Sequence, residues 1–122
     1  ISITNAAGSI TLAVEDATET NKGVVELATT AEALAGTDTT RAITAAGLAA
    51  RSWSGSIGDG ATTSIQITHS LNTKDVIVQL YDTTTDETVY ADVTRDGVNT
   101  ATIDFSTAPA TSAIRVLVTK ID

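Results

Sequence analysis

From residue 62 onward, apolar and polar residues alternate with a period of two. Ile65, Ile67 and His69 alternate with Gln66 and Thr68. Val76, Val78 and Leu80 alternate with Ile77, Gln79 and Tyr81. The same pattern runs through Val89, Ala91 and Val93, through Ala101, Ile103 and Phe105, and through Ile114, Val116 and Val118. Successive side chains of a strand point to opposite faces, so the pattern predicts five strands enriched in β-branched residues. Turn signals separate them at Leu71–Lys74, Thr83–Asp86, Asp96-Gly97 and Ala108-Pro109-Ala110. Asp96-Gly97 is the strongest hairpin signal, because glycine accepts a positive φ there. The expectation is a mainly β chain whose residues 62–122 form a small five-stranded antiparallel β-sandwich. The strand at 76–81 and the last strand, through Leu117 and Ile121, are apolar on both faces. Such strands call for a second layer, which a neighbouring copy of the chain can supply.

Residues 1–51 lack this regularity and read as a stalk of short strand and helix pieces. Ser9–Val14 and Gly23–Leu27 read as short strands. Thr30 to Gly36 reads as a helix with a Thr N-cap and a glycine just past its end. Thr44 caps a second helical stretch, Ala45–Arg51, which Gly47 weakens. Between the halves, the Ser/Gly-rich run within residues 52–61 reads as a linker, although Trp53 in it calls for something to pack against.

Composition sharpens this picture. The 122 residues include 24 Thr and 19 Ala but only 3% aromatics, so the core must rest on Val, Ile, Leu and Ala. Small cores are marginal, and with no Cys to form disulfides, oligomerisation is the expected remedy. A single His excludes a two-His metal motif within the chain. The net charge of −8 disfavours nucleic acid as a partner. No run approaches the roughly 18 apolar residues of a membrane-spanning helix. The chain opens on Ile1, as expected of a processed product or a fragment, and no signal-peptide pattern is visible.

Little catalytic chemistry is legible. His69 ends a predicted strand with no nucleophile motif around it, and a lone histidine there is expected to cover the strand end or bond a loop. Asp75, Asp82, Asp86, Glu87, Asp92, Asp96 and Asp104 are candidates for a hydrolytic carboxylate pair, but solvated turn and strand positions explain them. Asp59, Asp82 and Asp86 lie in loops without calcium-motif spacing. The glycines at 55–60 lack a phosphate-loop lysine. No enzyme activity, cofactor or metal is expected. Trp53, Tyr81 and Tyr90 are the candidate receptor-binding residues, since exposed Trp and Tyr rings stack on sugar faces.

The run Ala17-Thr18-Glu19, Gly23-Val24-Val25, Leu27-Ala28-Thr29, Glu32-Ala33, Gly36-Thr37-Asp38, Arg41-Ala42-Ile43-Thr44 and Gly47-Leu48 resembles the repeat of tailed-bacteriophage tail fibres. Ala45 departs from it, where many members carry Pro. Thr68-His69, Leu71, Thr73, Asp75-Val76, Val78-Gln79 and Tyr81-Asp82, with Arg115-Val116 and Val118, resemble a terminal domain of such fibres. The resemblance implies an elongated homotrimer located in the virion. Its partners would be its own copies, other virion proteins and a host-surface glycan. The function expected is a tail fibre segment with a terminal β knob for host attachment. The alternatives are a head fibre or capsid decoration protein, and a small carbohydrate-binding module. A fibre-borne depolymerase would need a larger body than this chain provides.

Overall fold

Two long strands carry the clearest alternation and lie at the centre of the structure, a computed structural model that describes Gly8 and residues 13–122. In β7 (Ile114–Lys120), Ile114, Val116 and Val118 are buried while Leu117 and Thr119 face outward. In β3 (Val76–Asp82), Val76 and Leu80 are buried beside them. The two pair antiparallel, with Val78 opposite Val118 and Leu80 opposite Val116. Their β-branched side chains suit a pleated, packed surface.

β1 (Ser52–Ile57) flanks β7 on the other side, pairing Trp53 with Val118 and Ile57 with Ile114. Residues 52–57 are therefore a strand and not a linker. Its period of two is present, with Ser52, Ser54 and Ser56 outward and Trp53, Gly55 and Ile57 inward. Gly55 hides the pattern because it has no apolar side chain of its own. The indole of Trp53 fills that place, and a Cβ on Gly55 would stand 2.5 Å from the Trp53 ring.

The predicted strand over 89–94 is divided between two sheets. β4 (Thr88–Val89) pairs with β3, whereas β5 (Asp92–Thr94) pairs with β6 (Thr100–Asp104). β6 also pairs with β2 (Ser64–Thr68). The expected five strands are thus seven, in antiparallel sheets of four (β1-β7-β3-β4) and three (β2-β6-β5). Crossing at Tyr90-Ala91 lets one stretch of chain edge both sheets.

The two sheets share one core. Ile67, Ala101 and Ile103 from the smaller sheet meet Val76, Leu80, Ile114, Val116 and Val118 from the larger, with Leu71 between them. Each Val, Leu or Ile among these contributes about 1.5–3 kcal/mol when fully buried. Among the described residues no aromatic is a buried member of this cluster, and Trp53 and Phe105 pack against it partly buried.

Two loops close the core. The β5–β6 turn forms at the Asp96-Gly97 signal, but Gly97 does not adopt a positive φ. The Gly97 N–H instead donates to the Thr100 carbonyl, and the Asp96 carboxylate accepts from Thr102 Oγ1 at 2.6 Å and from Gln66. The loop at 69–73 lies against this turn. Asn99 accepts the His69 N–H through its carbonyl and the Asn72 N–H through its side chain.

Upstream, α1 (Thr30–Ala35) begins one residue earlier than its sequence signal, with Thr29 as N-cap. Thr29 and Glu32 form a reciprocal capping box, and Gly36 ends the helix in the left-handed region. α2 (Ala45–Ala49) is capped by Thr44. Gly47 sits within it because the two helices meet there, a Cβ at Gly47 standing 2.8 Å from Ala33 Cβ. The predicted strand Gly23–Leu27 reduces to isolated parallel bridges, Asp16 with Val24 and Leu27 with Ala42. Of the strand expected at Ser9–Val14, residues 9–12 lie outside the described residues, and Ala13 and Val14 are not in a strand. Leu34 packs on the β core, and Arg51 links the two parts. Its guanidinium donates to the Ala33 carbonyl at 3.1 Å and to the Asp122 carbonyl.

Candidate functional site

The three aromatic candidates do not form one surface. Trp53 points inward from β1, packed on Gly55 and the core. Tyr81, near the end of β3, points to the opposite face of the same sheet, in register with Arg115 of β7 and Thr88 of β4. Tyr90 stands at the crossing between sheets and is 91% exposed. Alternation of side chains along each strand dictates this separation.

The outer face of the larger sheet is mixed. Arg115 reaches across β1 and donates to Ser54 Oγ at 2.7 Å and Ser56 Oγ at 3.4 Å. Ile77 and Leu117 are exposed beside these polar groups. The outer face of the smaller sheet carries Ser64, Gln66, Thr100, Thr102 and Asp104. At its junction with the larger sheet, an open groove of about 440 Å³ runs between Tyr90 and Asp92 on one side and Asp104 to Thr107 on the other. Asp92 lies directly opposite Asp104. This pairing was beyond reach of the sequence, which locates both acids in strands but not their register.

His69 is buried, 3% exposed, and its Nδ1 accepts the Leu71 N–H at 3.2 Å. It bonds the loop that follows its strand, the role expected of it. Nδ1 is thereby unprotonated and the ring neutral, with Nε2 buried and without a partner among the described residues. Burial holds the His69 pKa below the ordinary imidazole value.

The loop acids serve local structure. Asp59 accepts the Thr62 hydroxyl and the Thr62 and Ala61 N–H groups, which lower its pKa to about 2. Asp82 accepts the N–H groups of Thr84 and Thr85. Asp38 accepts from Thr40 and Arg41, and its carboxyl lies well below the usual range, chiefly through the Thr40 N–H. Arg41 is ringed by Asp38, Glu26 and Glu32, and its pKa is raised by them, Asp38 first. Among the described residues, no three His, Asp or Glu side chains gather as a metal site. No helix there is long and apolar enough to cross a membrane.

Searches against protein-family models, curated proteins and solved structures each find no match to this chain.

Proposed function

We propose that this chain is a structural and adhesive component of a phage virion, a homotrimeric tail fibre segment with a terminal β knob. The observation that carries the reading is the state of residues 13–50. Val14, Val24, Val25, Leu27, Ile43 and Leu48 are all about half exposed or more, with Leu27 at 62% and Leu48 at 64%. Buried apolar side chains in this stretch reduce to Ala28 and Ala33. A lone segment of this kind buries too little apolar surface to offset the entropy of ordering it. Copies of the same chain, packed side by side, would cover these residues and complete the isolated bridges. The fibre-like motif from Ala17 to Leu48 coincides with this uncovered stretch. The β unit, with its own core, suits a knob at the end of such a stalk.

A head fibre or capsid decoration protein would trimerise in the same way, and labelling of intact particles separates tail from head. The test of the assembly is the molar mass of the chain in solution by light scattering. Three copies of the 12.5 kDa chain support the reading. A folded monomer over a wide concentration range overturns it.

A further inference from the structure

Tyr90 is the most exposed large hydrophobic side chain among the described residues, although an aromatic ring is normally well covered. It lines the open groove of about 440 Å³ at the junction of the sheets, together with Phe105, Ser106 and Thr107. Tyr90, at the crossing between the sheets, and Asp92 of β5 are both exposed and both line this groove. Asp92 faces Asp104 across the β5–β6 ladder. Like charges directly opposite one another oppose pairing. Most acids of the loops and turns described above are bonded to an N–H or a hydroxyl. Among the described residues Asp92 and Asp104 have neither, and the ion pairs there belong to Arg41 and Lys120. Among the described residues, no basic side chain lines the groove.

We propose that this groove binds a pyranose bearing a protonated amine. The C–H face of the sugar stacks on the Tyr90 ring, the ammonium lies at the Asp92–Asp104 pair, and the Ser106 and Thr107 hydroxyls meet ring hydroxyls. Charge complementarity selects this ligand. An ammonium relieves the repulsion between the carboxylates and is attracted to an aromatic face. Sugars carrying carboxylate or phosphate are repelled by the pair and by the net charge of −8. The inference rests on the reading of the β unit as a knob that meets surface glycans.

The test titrates the whole chain with glucosamine oligosaccharides and with their N-acetylated counterparts, followed by NMR or calorimetry. The amine form is expected to bind at least tenfold more tightly. Both Tyr90→Ala and the double variant Asp92→Asn/Asp104→Asn are expected to weaken that binding at least tenfold with the fold intact. The positions are exposed, and removing the like charges is expected to leave the melting temperature equal or raised. Absence of saturable binding by the amine form, equal binding of both forms, or binding that survives Tyr90→Ala would each overturn the proposal. The last of these would mean diffuse attraction to an acidic chain. A trimer that binds neither sugar overturns the groove alone, whereas a monomer that binds the amine form overturns the fibre reading and keeps the groove.

Discussion

The indole of Trp53 covers Gly55 two residues along β1, filling on the inner face the space that a side chain at Gly55 would need. The pair anchors the edge of the larger sheet to Val116 and Val118 of β7. Gly55→Ala would force the ring off this position and is expected to cost about 1–3 kcal/mol, as overpacking does. Trp53→Ala uncovers the same edge and, since the ring is only partly buried, is expected to cost about 2–3 kcal/mol, below the range for full burial. Urea denaturation measures both. The single tryptophan reports the Gly55→Ala rearrangement by its emission shift.

Gly47→Ala offers a contrary case to helix propensity. In an open helix the change stabilises by about 0.4–1 kcal/mol. Here the new Cβ meets Ala33 Cβ at 2.8 Å. The variant is expected to lower the melting temperature, and Ala33→Gly placed on top of it to recover part of the loss. A double-mutant cycle with near-zero coupling would show that α1 and α2 do not meet there.

Acid is expected to destabilise the β unit through His69. Its folded pKa lies below the unfolded value near 6.5, so the unfolded chain binds the proton first. Stability is therefore complete above about pH 6.5 and falls as pH drops below it, until the folded state is also protonated. Protonation at Nδ1 removes the Leu71 bond. Chemical denaturation across pH 5–7.5 should show this fall, and His69→Gln should flatten it. Asp59 acts in a lower window, where its contribution is present above the ordinary Asp value and lost as pH falls through about 2.

Arg51→Ala removes the side-chain tie between α1 and the end of the chain. Hydrogen bonds from a charged donor contribute about 1.5–3 kcal/mol. The expected result is faster amide exchange in residues 30–50 with unchanged exchange in β3 and β7. Uniform acceleration in both parts would mean that Arg51 supports the β core instead.

The sequence pattern was most legible where apolar residues alternate without interruption, and β2, β3, β6 and β7 all fall within one or two residues of their predicted spans. β1 was masked by Gly55, whose inner position is filled by a side chain from two residues away. The break at Tyr90-Ala91 leaves no mark on the period, because both flanking strands keep the same inward phase while changing partners. For the same reason the aromatic candidates could be named but not placed. Alternation within one strand does not relate residues on different strands, and only the pairing of β1 with β7 and of β7 with β3 places Trp53 and Tyr81 on opposite faces. The groove at Tyr90 depends on the register of Asp92 with Asp104, residues 12 positions apart in the chain.

The central claim is that residues 13–50 are completed by other copies of the same chain. Light scattering on the intact chain tests it most directly. The account predicts a particle of three chains that persists on dilution, with Leu27→Asp and Leu48→Asp shifting it toward smaller species. A folded monomer at all concentrations, with residues 13–50 as protected from amide exchange as the β core, would contradict it.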